Sequence, residues 1–450
     1  MLKRLDSLTE RIGGPLGPRA LRSGGWFSPS VFAFGAAIFT MLVAILRHLP
    51  CRNEPQDFPN ALVRLCYSDI PTLFLSRDFG KGGGFYSDIA LEYPPLIGYF
   101  VALARWLTGL FNTIGPQATH EDQVFAADTF FAINAVLLGL LFFAVVAVHL
   151  RLNLDRSWDA LLIAASPLVM VNALINWDLL VVALVAFALL AWSRKRPLLS
   201  GVLIGLGVSA KLYPVLLLAA IAILCLRAAK WRALLHVCVG AAGGWLLANL
   251  PVMIAAPDGW KYFWTMNANR GADLGSIWYL LKLMGVEVPK VSAVAFCCMF
   301  VLGIGVLALT LRAPRRPRLA QVALLLLLIF LMFNTVYSPQ YALWLLPLVV
   351  LARPRLVDVG IWTLGELVYW FAIWGFLEGI LGIGQSAQWI YWAAIIIRIA
   401  AQLWIGLMVI EDIQQPWSDP VRVGFVDDPQ GGVLDHAPDS SLFLRTKNAQ

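Results

Sequence analysis

LCYSDIPTLFLSRDFGKGGGFYSDIALEYPPLIGY, residues 65 to 99, is the longest polar insertion between two strongly apolar segments of the chain. It sets Asp69, Asp78, Asp88 and Glu92 beside stretches apolar enough to enter a bilayer. Carboxylates next to hydrocarbon are costly unless they are paired, hydrated or used in chemistry. How this stretch is read therefore decides both the architecture and where a site is sought.

The surroundings are those of a membrane. Of 450 residues 60% are hydrophobic and 14% charged, with a mean hydropathy of +0.74, and apolar runs of spanning length recur. This predicts an all-α polytopic membrane protein. Inter-span loops reach on the order of 35 to 45 residues against about 100 for a usual domain, so chemistry must be built from helix ends and loops. The 34 basic against 27 acidic residues report cytoplasmic loops. No basic stripe interleaves with aromatics, which excludes nucleic-acid binding as a reading.

Residues 1–30 carry Lys3, Arg4, Arg11, Arg19 and Arg22 and predict a cytoplasmic tail. Ser28-Pro29 supplies a cap and a proline start for a first span over 31–49. The loop over 50–92 is expected outside. Its Cys51 and Cys66 could bridge there, closing a loop of about 15 residues worth roughly 3 kcal/mol by the chain-entropy argument. GKGGG at Gly80 to Gly84 reads as flexible linker, since no strand precedes it and no Lys-Ser/Thr pair ends it.

Further apolar runs and the basic loops SRKRP, RAAKWR, RAPRRPR and ARPR alternate across the membrane. They predict about 12 crossings, both termini cytoplasmic, and a second large external loop at 257–290. Residues 94–112 join two external loops, so this segment is expected to be re-entrant or interfacial. The acidic stretch 412–450 cannot bury a core and is expected to be disordered.

On this topology the unusual polar residues fall on one face: Asp69, Asp88, Glu92, Asp178, Lys211, Arg270, Tyr337 and Gln340. Acids, a lysine and amides on one membrane face fit transfer from a lipid-linked donor. Such a reaction needs a carboxylate to take the acceptor proton, a cation for the departing phosphate, and groups that grip the sugar. Asp69, before Ile70-Pro71, is the first candidate for the base, with a helix cap as the bland alternative. Glu92 in LEYPPL is a second acid, an acceptor contact or a cap. Asp57, Asp78 and Asp88 read as solvated loop charges. Lys211, alone in GLGVSAKLYPVLLL, either meets a phosphate or snorkels to water, and Arg270 is the second phosphate candidate. Asp178 would bind an acceptor hydroxyl or start a helix. Tyr337, Ser338 and Gln340 would meet sugar hydroxyls or form an ordinary cap and helix start. Tryptophans and tyrosines at 260–279 and 389–392 read first as interfacial anchors.

YSDIP after the first span, EYPPL, NWDLL, SAKLYP and SPQYALWLLPL, in that order, resemble glycosyltransferase family 87, actinobacterial multi-span enzymes of the GT-C fold. The resemblance covers roughly residues 31–411. It implies a GT-C-like transmembrane catalytic domain over that range and an inverting transfer from a polyprenyl-phosphate sugar, mannose in the first place, to an envelope glycolipid or polysaccharide. It puts the catalytic acid on Asp69 in the first external loop; from the residues themselves, Lys211 and Arg270 are expected on the donor phosphate and Glu92, Tyr93, Asp178, Tyr337 and Gln340 on substrates. Lys211-Leu-Tyr-Pro214 matches an expected Lys-x-x-Pro, whereas Asn176-Trp177-Asp178 stands where a Gly-Gln-Asn type break is usual. No cofactor is expected, a divalent ion between Asp69 and the donor phosphate being the one metal role left open. The plasma membrane, with the site on its outer face, is the expected location. The rival reading, a transporter or lipid-linked sugar flippase, would draw on the ionisable Arg105 and Glu366 inside apolar runs.

Overall fold

The computed structural model describes residues 28–51, 58–152, 154–422 and 426–440. The expectations for the tail before residue 28, for Asp57 and for residues 441–450 lie outside them. Among the described residues there is no strand, and helices dominate. Six helices are long and apolar enough to cross a membrane, which makes the chain a multi-pass membrane protein. In chain order the long ones are α1 (Pro29–His48), α5 (His120–Leu152), α11 (Trp231–Ala255), α14 (Val291–Arg312), α17 (Leu356–Leu377) and α18 (Gln388–Gln414).

Shorter elements lie between them. The first loop holds α2 (Phe58–Val63) and α3 (Asp69–Ser76), followed by α4 (Pro95–Thr108). After α5 come α6 (Ala160–Ala164), α7 (Pro167–Asn172), α8 (Asp178–Ser193), α9 (Pro197–Val208) and α10 (Pro214–Ala228). The remainder are α12 (Pro257–Ala268), α13 (Ile277–Leu283), α15 (Leu319–Phe333) and α16 (Ala342–Ala352). Prolines set many of these starts. Pro29, Pro95, Pro167, Pro197 and Pro214 open helices where their missing N–H is no loss. They also cut the apolar runs short: the 15 residues of α10 or α15 rise about 22 Å, less than a hydrocarbon core of about 30 Å. By length and composition alone, six helices qualify as crossings.

Two packing devices hold the centre. Leu319–Phe333 and Ala342–Ala352 are apolar all round and largely buried, as helices enclosed by others must be. Gly201 and Gly205 of α9 face Gly240 and Gly244 of α11, and a Cβ at any of the four would strike the partner helix's carbonyl oxygens. This is reciprocal small-xxx-small packing, which lets backbones touch where lipid gives no hydrophobic drive.

The connections gather at two ends. At the first, Asp69 N donates to Ile175 O (2.8 Å), Leu96 N to Ser209 O (2.9 Å) and Asp273 N to Thr335 O (2.8 Å). Helix α4 belongs wholly to this end. Its start meets Ser209, while Arg105 Nη2 reaches Gly83 O at 2.7 Å and Gly115 N reaches Gly80 O at 2.9 Å. Those contacts pin the glycine run, with Gly82 and Gly83 in the left-handed region, so the linker reading gives way to an anchored turn. A disulfide joins Cys51 to Cys66.

At the opposite end the C-terminal segment corrects the expectation of disorder for the described residues after 412. Asp412 pairs with Arg353, Asp419 with Arg318 at 2.8 Å, Asp427 with Arg315 and Arg316, and Asp439 with Arg227 at 2.6 Å. Composition reads as unpacked because the partners of these acids stand about 60 to 210 residues away in the loops of other helices.

Candidate functional site

The site starts from how Asp69 is mounted. Ser68 caps α3, its Oγ accepting from Ile70 N (3.2 Å) and donating to Leu174 O (2.6 Å). With the Asp69 N to Ile175 O bond, this binds the first loop to the polar break before α8. Asp69 is half-buried on the first turn of α3. Tyr67 Oη donates to its Oδ1 at 2.8 Å and Asn176 Nδ2 to its Oδ2 at 2.9 Å. Both carboxylate oxygens are thus held by neutral donors. Burial pushes this carboxyl above the usual carboxylate range, while the Tyr67 and Asn176 donors and the Lys211 charge pull it back.

Asn176 joins the acid to the rest. Its Nδ2 also donates to Tyr93 Oη at 2.8 Å, and its Oδ1 accepts from Trp177 N at 2.6 Å. The Tyr93 ring stands edge-on to Trp177, and Lys211 Nζ lies 5.0 Å from its centroid. Lys211 Nζ is also 6.0 Å from the Tyr341 ring and 3.6 Å from Asp178 Oδ1. Trp344 Nε1 donates to the same Asp178 oxygen at 2.8 Å. Trp344 itself is stacked between Tyr213 and Tyr341, at 4.5 and 3.9 Å. The amine therefore sits in an aromatic cradle over a buried carboxylate, its side chain 13% exposed.

Asp69, Tyr93, Asp178 and Lys211 thus come together from four separate stretches. The other candidates stand differently. Glu92 is ion-paired with Arg77 at the partly exposed rim. Arg270 clasps Asp273 through Nε (2.9 Å) and Nη2 (2.6 Å), with its charge still felt at Tyr341. Asp178 is fully buried beneath Lys211 and opens α8, which is the helix-start alternative. Tyr337 is likewise buried, its ring under Arg398 and stacked at 6.3 Å on Tyr341, its hydroxyl bonded to Gln402, so it backs the cradle from behind Tyr341. Gln340 is nearly buried on the turn that precedes α16.

Tyr67, Asn176, Tyr341 and Trp344 were not singled out by sequence. Tyr67 and Asn176 each lie two residues before an acid in a polar break, and that spacing was the available signal. Trp344 sits in an unbroken apolar run and offers none. Among the described residues the one grouping of three His, Cys, Asp or Glu side chains close enough to share a metal is Asp427, Asp435 and His436. It lies at the opposite end, where Arg315 and Arg316 already pair with Asp427.

The fold and the site define a polytopic helical membrane protein in which an acid, Asp69, and an amine, Lys211, are linked through Asn176 and Tyr93. The family model for glycosyltransferase family 87 matches residues 92–335, a little over half of the chain. The protein belongs to glycosyltransferase family 87, and it is an enzyme that transfers a sugar from a donor to an acceptor. Among curated proteins none matches the chain.

Proposed function

We propose that this glycosyltransferase moves a sugar, mannose in the first place, from a polyprenyl-phosphate donor to an envelope glycolipid or polysaccharide, inverting the anomeric centre. One observation carries the reading: the contacts from Asp69 through Asn176 and Tyr93 to Lys211 bring an ionisable acid and a lysine into one cradle at the bundle's end. The acceptor oxygen attacks the anomeric carbon, its proton goes to Asp69, and the bond to the phosphate oxygen breaks with both electrons leaving on the phosphate. Lys211 meets that charge, and Arg270 adds to the field once a phosphate competes with Asp273. Tyr93 and Tyr341 line the sugar's path. Asp178 holds Lys211 in place, and Glu92 and Gln340 stay at the periphery. Asp69 lies upstream of the family match, so its role here rests on geometry and on the YSDIP resemblance.

Three further details belong to the reading. The shorter apolar helices complete a GT-C-like bundle of about twelve crossings with the long ones. The arginines that pair with the C-terminal acids gather at the end away from the site, and the positive-inside rule favours a cytoplasmic position for that end and for both termini, with the site outside the plasma membrane. The disulfide at the site end favours the same orientation. The step runs without a cofactor.

The transport reading drew on Arg105 and Glu366, and each has a fixed partner here, Gly83 O for Arg105 and Arg398 for Glu366. Purified protein incubated with radiolabelled polyprenyl-phosphate-mannose and an envelope lipid extract should yield a labelled product, and Asp69→Asn should abolish it while donor binding persists. Turnover retained in that variant removes Asp69 from the role. Movement of the labelled donor across liposomes without any product would favour a flippase.

A further inference from the structure

Two helix-interior charges deep in the bundle have no place in the reaction just described. Glu366 of α17 and Arg398 of α18 are 2% and 0% exposed. Ionisable side chains at such depth are expensive and persist where geometry repays them. Arg398 Nε donates to Glu366 Oε2 at 2.8 Å, and Gln402 Nε2 donates to Glu366 Oε1 at 2.6 Å. That leaves the two terminal nitrogens of the guanidinium, and both are aimed at one turn. Nη1 donates to Tyr337 O at 2.8 Å and Nη2 to Ser338 O at 3.2 Å. The Tyr337 and Tyr369 rings cover the guanidinium at 3.4 and 4.2 Å.

The turn needs this. Residues 334–338 are non-helical between two apolar helices, and such backbone is tolerated in a bundle only where its polar groups find partners. On its other side Tyr337 N donates to Leu274 O at 3.1 Å, and a Cβ at Gly275 would collide with Tyr337 O and the Tyr369 hydroxyl. The turn is thus gripped from both sides just before it delivers Tyr341 and Trp344 to Lys211 and Asp178.

We infer that the Arg398–Glu366 pair is a positioning clamp for the donor-phosphate end of the site, acting through the 337–341 turn on the cradle of Lys211. The inference rests on the phosphate-binding reading of Lys211. Arg398 touches no reacting atom in this scheme. Its charge is fixed by Glu366 so that its two remaining donors hold the turn.

Arg398→Lys keeps the charge and loses the fork. It should lower kcat/KM for polyprenyl-phosphate-mannose by about tenfold, leave the dependence on the acceptor extract within about twofold, and speed maleimide labelling of a cysteine placed at Ser338. In a Lys211→Ala background the same change should cost less than about twofold, because groups acting through one another are not additive. Should Arg398→Lys fail to fold, Arg398→Met with Glu366→Leu removes both charges at similar volume, a swap that buried pairs often tolerate, and it should show the same donor-side loss. An unaltered labelling rate at residue 338, or the full tenfold loss in the Lys211→Ala background, overturns the clamp. Unchanged donor kinetics in Lys211→Ala alone would instead overturn the phosphate reading, and faster labelling at 338 in Arg398→Lys would then still stand for the grip on the turn.

Discussion

At one end of the bundle Asp419 lies in a two-point clasp with Arg318, Nε at 2.8 Å and Nη2 at 2.9 Å, with both side chains fully buried. At the other end Asp69 is held at similar distances by a phenol and an amide, with no arginine on it. The distances hardly differ, but the chemistry does. An arginine lowers a carboxylate's proton affinity and spends its charge locally. Neutral donors orient a carboxylate and leave its basicity in reach. Lys211 follows the same rule, kept 3.6 Å from Asp178 rather than in close contact. Two arginine pairs at the site end, Arg77 with Glu92 and Arg270 with Asp273, stand at the partly exposed rim, and the buried Arg398–Glu366 pair is turned to the backbone of the 337–341 turn rather than to Asp69. The comparison separates charges that hold the fold from charges kept available for reaction.

The sharpest way to break that division is at Asp69. Asp69→Asn preserves the shape and the Tyr67 and Asn176 neighbours but cannot take a proton, so transfer should fall by about 10² to 10⁴-fold, measured as initial rate in protein whose thermal unfolding is unchanged. A parent-like rate would mean that the acid serves only as a cap. Arg318→Ala tests the other end. It strips the two-point clasp from the buried Asp419, leaving Arg422 at 4.0 Å as its remaining ion-pair partner among the described residues, and should destabilise the fold by about 3 kcal/mol, read by denaturant unfolding in detergent, while the protein that remains folded keeps its kcat. A selective loss of kcat would show that the arginine end reaches the chemistry.

Lys211→Ala should weaken donor binding or turnover by at least about tenfold, and donor kinetics equal to the parent's would assign the lysine to snorkelling. The pH dependence sharpens the picture at Asp69. Burial raises its proton affinity, and a base must be ionised to act. The rate should therefore fall on acidification with a midpoint above the ordinary aspartate value of about 3.9. Asn176→Leu, which deletes a donor to the charged form, should move that midpoint up, and a downward move would contradict the assignment. The smallest effect is expected at the rim, where Glu92→Gln breaks an exposed pair worth about 0–1 kcal/mol and should change the rate by less than about threefold.

Much of this arrangement can be read from residues near one another in the chain. Ser28-Pro29 marks a helix start, and the basic loops foretell a common end for Arg227, Arg316 and Arg353. Asp69 and Lys211 stood out because each is an isolated charge beside apolar sequence, and the same signal worked for Asp178. It could not tell that Asp178 lies beneath the lysine, because Trp344, 166 residues away, supplies its bond. Tyr337 shows the same limit: besides Tyr341 its side chain meets Gln402 and Arg398 of α18, more than 60 residues away. The C-terminal acids looked solvated since nothing local neutralises them. In each case the missing information was a contact across the bundle, which local pattern does not encode.

The glycine pairs of α9 and α11 bear on how a prenyl chain could reach the cradle. Two helices whose backbones touch along two turns behave as a single strut, and Lys211, three residues beyond the end of α9, inherits that stiffness. Widening the structure to admit a lipid from the side would have to spare this strut. The margin for such movement lies with α14, which keeps only 17% of its apolar window inside the protein, so on the proposed reading Lys211 can stay still while a loosely held helix yields.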